Sequence, residues 1–153
     1  NAAQASIGMA QYAGPGGWND PDMLLGSGAG DTQFWLSPAQ SRSQFSLWVT
    51  LAAPLILGSS ILHMTDWDLA TYTNKEALAI SQDELGQQGV LAWSDCPKWH
   101  NPLEKVPPPC GQVWGRKLSH QNVALLIINY APVKRTVECH GECMYKGSGR
   151  PAG

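Results

Sequence analysis

The 153-residue chain has few charged residues and almost no excess of either sign. Ten lysines and arginines stand against twelve aspartates and glutamates, and the charged fraction of 14% compares with roughly 25% in an average globular chain. This balance offers no basic surface for phosphate groups, so we expect no nucleic-acid partner. Because 43% of the residues are hydrophobic, we expect a folded chain with much of its surface buried rather than a disordered one.

Long apolar runs and several common motifs are also missing. The longest apolar-looking run, Phe45 to Leu57, is shorter than the about 20 residues of a membrane span and contains Pro54, so no membrane partner is expected. No phosphate-binding loop, His-Glu-x-x-His zinc motif or calcium loop occurs, and we expect no cofactor. The chain begins at Asn1 without a signal peptide, which predicts a processed chain or a fragment.

The four cysteines lie in two close pairs along the chain. Cys96 and Cys110 bracket a proline-rich loop, whereas Cys139 and Cys143 are separated by three residues that include His140. We predict two local disulfide bonds, and free thiols or a zinc site at Cys139, His140 and Cys143 remain as alternatives, since four cysteines allow three pairings. Structural zinc sites favour Cys-x-x-Cys with a second ligand pair, so no metal is expected. Disulfides would indicate an oxidising compartment.

The first part of the chain has the pattern of an α/β region. Residues 1–12 are rich in helix formers and predict the end of a helix, which Gly14 to Gly17 would stop. Trp18 to Leu25 predicts a short strand, and the all-apolar Leu55 to Leu57 predicts a parallel strand buried on both faces.

Three helices are predicted around the second of these strands. Ser37-Pro38 is a typical helix start, and we expect this helix to run to about Ala53. Its apolar residues at helical spacing predict one buried side, formed by Phe45, Trp48, Val49 and Ala52. Thr65 resembles the cap of a second helix, and a third is expected to start after Asn74 and to run to Ser81.

After Gly89 the hydrophobic period changes from that of a helix to that of a strand. Strands are predicted at Val90–Ser94, Val113–Leu118, Val123–Tyr130 and Lys134–Cys139, with a hairpin loop at Ser119–Asn122. The expected domains are therefore an α/β part at 1–88, an antiparallel β part at 89–146 and a flexible tail at 147–153. Both architectures are incomplete, which predicts a fragment that is marginal or aggregation-prone in isolation.

Several segments resemble the α-galactosidases of glycoside hydrolase family 27. The stretch from Gly14 to Leu24 reads GPGGWNDPDML, which resembles a signature of that family. Further similar segments follow in the same order: Phe45–Trp48, Ala52–Gly58, Thr73–Glu76, Ser81–Gly86 and Val113–Leu118. Ser81 and Glu84 depart from the Asn and Pro that are usual in the family. The resemblance extends from about Ala10 to Cys143.

The resemblance implies a fold class of α/β followed by all-β. The chain would comprise the last two βα units of a (β/α)₈ TIM barrel, followed by part of an antiparallel β-sandwich. Residues 18–23 would form barrel strand seven with its loop, and Leu55 to Leu57 would form strand eight.

The resemblance also implies a retaining glycoside hydrolase that removes terminal α-linked galactose. An α-N-acetylgalactosaminidase, or a catalytically inactive truncated or sugar-binding product, is the alternative. Retaining enzymes use two carboxylates, and the family carries both upstream of the part that this chain covers, so no catalytic residue is expected here. Asp20 and Asp22 would share a face of an extended segment, but Pro21 between them favours a turn, which makes them the weaker candidates.

By the same resemblance, the chain contributes part of a sugar pocket. Asp22 would bind sugar hydroxyls and Met23 would supply an apolar wall. Trp18 would offer a stacking face, while Asn19 and Asp20 would support the loop by Asx-type hydrogen bonds. The alternatives are a turn residue for Asp22 and ordinary core for Met23 and Trp18.

The remaining expectations concern the histidines and the setting of the whole protein. The four histidines (His63, His100, His120 and His140) are expected to be surface or core residues, with His63 near the barrel rim. The resemblance implies an α-galactoside as the substrate partner, a homodimer of the whole protein, and a secreted or lysosomal/vacuolar location.

Overall fold

The computed structural model describes residues 5–28, 36–97 and 109–147. These residues form helices α1 (Pro38–Thr50), α2 (Asp66–Tyr72), α3 (Lys75–Ser81) and α4 (Glu142–Gly147), and strands β1 (Val90–Ser94), β2 (Gly111–Lys117) and β3 (Val123–Asn129). Short 3₁₀ turns lie at Ala10–Tyr12, Ile61–His63 and Ser119–Gln121. Helix α1 contacts α2, α3 and the sheet, while α4 covers β1 and β2.

The predicted N-terminal helix does not continue to Tyr12. Ala5 is helical, but residues 6–8 form a turn and Gly8 has a φ of 79°, in the left-handed region that ends a helix. The following 3₁₀ turn is a separate element. The first four residues of the prediction lie outside the described residues.

Helix α1 begins as its sequence predicts and ends three residues earlier. The Ser37 hydroxyl accepts from the Gln40 N–H and the Gln40 side chain accepts from the Ser37 N–H, which forms a capping box. The helix stops at Thr50 because Ala52 adopts a φ of 54°, and the Ala53 N–H then bonds the Trp48 carbonyl in a Schellman motif. The four residues of its predicted buried side are all buried.

The prediction that Leu55 to Leu57 is buried on both faces is wrong for this chain, because Ile56 is 50% exposed. The two predicted parallel strands meet in a single pair of residues. Leu24 forms a parallel bridge with Leu57: its N–H bonds the Ile56 carbonyl and its own carbonyl accepts from Gly58, each at 2.8 Å. The predicted strand from Trp18 to Leu25 is otherwise wrong, because Pro21 lacks a donor and Asp22 has a φ of 81°, which no regular strand adopts.

The antiparallel region is a three-stranded sheet in the order β1-β2-β3. All seven β2 residues pair with β3, from Gly111 opposite Asn129 to Lys117 opposite Val123. The predicted hairpin between them is present, with His120 and Gln121 in the left-handed region. Strand β2 begins two residues earlier than predicted, and β3 ends at Asn129.

A fourth strand at Lys134–Cys139 was predicted and is wrong. Residues 131–140 are irregular, and Val133 is 65% exposed. Helix α4 lies on the sheet instead: a Cβ at Gly115 would stand 2.1 Å from the Cα of Gly147, so two glycines allow this close approach. Gly147 is therefore a buried helix end rather than part of a flexible tail; the rest of that tail lies outside the described residues.

The helical part and the sheet share one hydrophobic core. Trp48 of α1 and Leu24 belong to the same buried cluster as Trp114 of β2 and Ile128 of β3. The side chain of Arg116, also in β2, is fully buried and reaches the end of α1. The secondary structure therefore changes from helices to strands near residue 88, but the parts of the chain on the two sides of this boundary pack on each other.

Both predicted disulfide bonds are present. Cys96 is bonded to Cys110 and Cys139 to Cys143, so all four cysteines are oxidised. The zinc alternative at Cys139, His140 and Cys143 is thereby wrong, because its two sulfur atoms bind each other.

Among the described residues, no helix has the length and apolarity needed to span a membrane.

Candidate functional site

The candidate site is built on the segment that carries the family signature. Its first turn is closed by two hydrogen bonds of 2.9 Å between the backbones of Gly14 and Gly17. Gly16 has a φ of 101°, which a residue with a side chain rarely adopts, and this explains a glycine there. Beyond the turn, the Trp18 indole N–H bonds the Gly86 carbonyl at 3.3 Å, and the ring is 46% exposed.

Asn19 joins this segment to two distant parts of the chain. Its side-chain amide donates to the Met9 carbonyl at 2.9 Å and to the Gln88 side-chain oxygen at 2.8 Å. Asp20 instead makes a local Asx-type bond, in which its carboxylate accepts from the Asp22 N–H at 2.9 Å. The predicted Asx-type bond is therefore wrong for Asn19, whose side chain anchors the segment over a long range, whereas Asp20 shapes the turn that precedes Asp22.

Asp22 and Met23 are both exposed to solvent. Side chains alternate along a regular strand, so two exposed neighbours need a break in the extended backbone, and the left-handed φ of Asp22 supplies it. One Asp22 carboxylate oxygen accepts from the Met23 N–H at 2.7 Å, which leaves the other oxygen of that group available to a ligand. Met23 lies against Gly58, where an added Cβ would be 3.0 Å from the Met23 Cβ.

Leu24 and Leu25 fix this pair of residues to the rest of the fold. Leu24 is only 1% exposed and carries the bridge to Leu57. On the other edge of the segment, the Gln44 side chain accepts from the Leu25 N–H at 3.0 Å and donates to the Met23 carbonyl at 3.3 Å. The Trp48 indole N–H donates to the Asp22 carbonyl at 2.7 Å.

Sequence reasoning missed these supporting residues. Trp48 was expected only as a core residue of α1, and Gln44 and Gln88 were not singled out at all. No local pattern identifies them, because their partners lie about 20 to 80 positions away along the chain.

A buried carboxylate, Asp68, holds the loop that follows the site. Asp68 accepts hydrogen bonds from the Ser27 N–H at 2.6 Å, the Ser41 hydroxyl at 2.5 Å and the Thr65 hydroxyl at 3.1 Å. Burial opposes ionisation of this carboxyl group, but the hydrogen bonds outweigh burial, so the pKa of Asp68 lies below its ordinary value. The ionised group therefore ties α1 and α2 to the backbone after Gly26.

The described histidines take no part in this site. His63 contacts the Ser60 hydroxyl at 3.2 Å, while His120 and His140 have exposed side chains that face Glu84 and Glu138, respectively. His100 lies outside the described residues.

A cluster of Asp95, Cys96 and Cys110 has the spacing of metal ligands, but its two sulfur atoms form a disulfide bond and cannot bind an ion as thiolates.

Solved structures of α-galactosidases share this fold. The structure of an α-galactosidase from Saccharomyces cerevisiae superposes with a TM-score of 0.71 at 26% sequence identity, over 84% of this chain and 27% of the yeast chain. The chain is also 38% identical over 132 residues to an α-galactosidase of Oryza sativa subsp. japonica. It is 40% identical over 127 residues to an α-galactosidase of Cyamopsis tetragonoloba.

These matches cover most of this chain but only part of each relative. They span 86% of the chain and 27% of the Oryza protein, and 82% of the chain and 26% of the Cyamopsis protein. The chain thus spans about a quarter of the length of these relatives. The family model described as alpha galactosidase A matches residues 2–83, more than half of the chain, and the chain belongs to this family.

Proposed function

We propose that the whole protein is a retaining α-galactosidase and that this chain supplies one wall of its sugar pocket. The observation that carries the proposal is the Gly14–Leu24 signature, folded so that Asp22 and Met23 face solvent beside the bridge of Leu24 with Leu57. Relatives named α-galactosidases, at 38% and 40% identity, support the same activity.

Within that protein, the chain would provide the last two βα units of a (β/α)₈ barrel and the start of the β domain. The parallel bridge between Leu24 and Leu57 supports neighbouring barrel strands, with α1 as the helix that connects them. Active sites of such barrels lie at the carboxyl ends of the strands. By the family resemblance, Asp22 and Met23, which directly precede the bridging Leu24, would contribute to this active-site face.

The proposed chemistry divides between this chain and the remainder of the protein. A retaining enzyme needs a nucleophilic carboxylate and a general acid/base carboxylate about 5–5.5 Å apart, and both would come from outside these 153 residues. Asp22 would accept hydrogen bonds from sugar hydroxyl groups, which are donors suited to a carboxylate. Met23 would provide an apolar wall and Trp18 an exposed ring face for the sugar.

The experiment compares the whole protein with the isolated 153-residue chain on a chromogenic α-galactoside. We expect activity in the whole protein alone. In the whole protein, Asp22→Asn should lower kcat/KM about 10- to 100-fold, because a charge-assisted hydrogen bond contributes roughly 1.5–3 kcal/mol. Asp66→Asn, at an exposed position on α2, is the matched control and should leave the kinetics unchanged.

Other outcomes would point to the alternatives. A preference for an α-N-acetylgalactosaminide over the α-galactoside would change the assigned sugar. Hydrolysis by the 153-residue chain would implicate Asp20 and Asp22 as catalytic groups. An inactive whole protein that still binds galactose would favour a sugar-binding product.

The two disulfide bonds fit an oxidising compartment. We propose a secreted or lysosomal/vacuolar location for the whole protein, and a homodimer as its assembly.

A further inference from the structure

The backbone of the site segment is held mainly by side chains. From the Asp22 N–H to the Leu25 N–H, every backbone donor and acceptor has a hydrogen-bond partner. Only Leu24 pairs with backbone, through Ile56 and Gly58. The other partners belong to Asp20, Asp22 itself, Gln44 and Trp48.

Asp22 requires such support because of its backbone conformation. Its φ of 81° lies in the left-handed region, which residues with a side chain occupy sparsely and at an energetic cost. Asparagine and aspartate tolerate this region better than most residues, yet the conformation persists only where surrounding contacts favour it. The same conformation lets Asp22 and Met23 both reach solvent while Leu24 enters the core.

Trp48 is the most deeply buried of these partners. Its ring is only 5% exposed and is packed in the core cluster with Leu24 and Phe45. The indole N–H is a donor only, and its bond to the Asp22 carbonyl, at 2.7 Å, is shorter than either Gln44 contact. The carbonyl of Asp22 is thereby fixed relative to the core, which in turn restricts how its carboxylate is presented.

We propose that Trp48 is a positioning residue: its indole N–H holds Asp22 in the left-handed conformation that presents the Asp22 carboxylate to the sugar. This inference rests on the proposed function, since it takes Asp22 as a sugar-binding group. Trp48 does not touch the substrate and acts only through the Asp22 backbone.

The test removes the N–H donor and keeps an aromatic ring. In the whole protein, Trp48→Phe and replacement of Trp48 by β-(3-benzothienyl)alanine, an indole-shaped residue without N–H, are compared on an α-galactoside. We expect KM to rise about 3- to 10-fold, the effect of one neutral hydrogen bond, with kcat changed less than twofold. The benzothienyl variant keeps the packing, so it decides the question if Trp48→Phe does not fold.

Trp67→Phe is the matched control. It removes an indole bond of 2.8 Å to the Pro38 carbonyl, at a position away from Asp22, and KM should not change. An unchanged KM in the benzothienyl variant, or an equal rise in Trp67→Phe, would overturn the proposal.

A double-mutant cycle with Asp22→Asn separates positioning from a general structural role. If Trp48 acts through the Asp22 carboxylate, replacement of Trp48 should raise KM less than twofold in a protein that already carries Asp22→Asn. Additive effects of the two replacements would mean that Trp48 supports the fold without positioning Asp22.

A crystal structure of the benzothienyl variant gives a readout that needs no activity. We expect the φ of Asp22 to leave the left-handed region; a value that stays near 81° would overturn the proposal even if the whole protein cleaves no α-galactoside. If Asp22→Asn leaves kcat/KM unchanged while the φ of Asp22 shifts in the variant, the assigned sugar contact fails and the positioning by Trp48 holds.

Discussion

Arg116 of β2 donates a hydrogen bond of 2.6 Å to the carbonyl oxygen of Val49, in the last turn of α1. A second bond, of 3.3 Å, runs from the same guanidinium group to the carbonyl of Ser81, the last residue of α3. Carbonyls at the end of a helix lack partners within the helix and carry partial negative charge, so a cation is favourable there. One buried side chain therefore joins the sheet to the ends of two helices.

Replacement of Arg116 by methionine should destabilise the protein strongly. Methionine fills most of the space but leaves the carbonyls of Val49 and Ser81 without their donor, at a cost of about 1–3 kcal/mol for each buried group. Chemical unfolding monitored by tryptophan fluorescence measures the change. Arg42→Met, which removes an exposed guanidinium stacked on Trp67, is the control and should cost less than about 1 kcal/mol. Equal losses in the two variants would contradict this role for Arg116.

Asp68 should make stability depend on pH in the acid range. Its pKa is lower in the folded chain than in the unfolded one, so the stability that it provides is fully present above the unfolded value of about 4. That stability is lost as pH falls through the lower, folded value. Asp68→Asn should cost about 1–3 kcal/mol at pH 7 and weaken the acid dependence, because an amide oxygen accepts hydrogen bonds less strongly than a carboxylate.

The measurement is a series of unfolding curves between pH 7 and about pH 2. Asp66→Asn, on the exposed side of the same helix, is the control and should keep the acid dependence of the parent. A variant at position 68 with an unchanged acid dependence would show that the ionised carboxylate does not stabilise this loop.

Two glycines with left-handed backbones should respond differently to alanine. Gly16→Ala meets open space and adds only backbone strain, of about 1–2 kcal/mol. Gly26→Ala adds the same strain, and its new Cβ would stand 2.9 Å from the Ser59 hydroxyl oxygen and 3.4 Å from an Asp68 carboxylate oxygen. We expect Gly26→Ala to lower the melting temperature more, as measured by differential scanning calorimetry. Equal shifts would mean that the loop moves freely to accommodate the methyl group.

The isolated 153-residue chain should self-associate. Ile61 is 73% exposed, Leu62 is 91% exposed and Ile56 is 50% exposed, and exposed apolar side chains of this size favour association. Light scattering coupled to gel filtration should show oligomers or aggregates. The double replacement Ile61→Ser and Leu62→Ser should reduce them, whereas Val133→Ser, at an exposed position after β3, should not. A monomer with a sharp cooperative transition would refute this prediction.

The features that the sequence predicts well depend on interactions between residues that are close together along the chain. Ser37, Thr65 and Asn74 cap their helices with bonds to residues three positions ahead, and these bonds require no distant partner. The pairing of Cys96 with Cys110 and of Cys139 with Cys143 follows the same logic, because short loops bring the sulfur atoms together.

The predictions that failed depended on partners far along the chain. Residues 134–139 alternate like a strand, but the sheet offers them no pairing and α4 covers β1 and β2 instead. The segment before Leu24 reads as a strand, yet only Leu24 finds a ladder partner, at Leu57. Strand propensity predicts that a segment can be extended. Ladder hydrogen bonds also need a neighbouring strand, which the local sequence pattern does not identify.

The sequence by itself therefore determined the family signature, the helix starts, the hairpin and the disulfide pairs. The tertiary structure alone decided the left-handed turn at Asp22, its bond to Trp48 and the burial of Arg116 against two helix ends. The physical reason is that a strained backbone or a buried cation is stable only where distant groups satisfy it, and the fold is what brings those groups within hydrogen-bond distance.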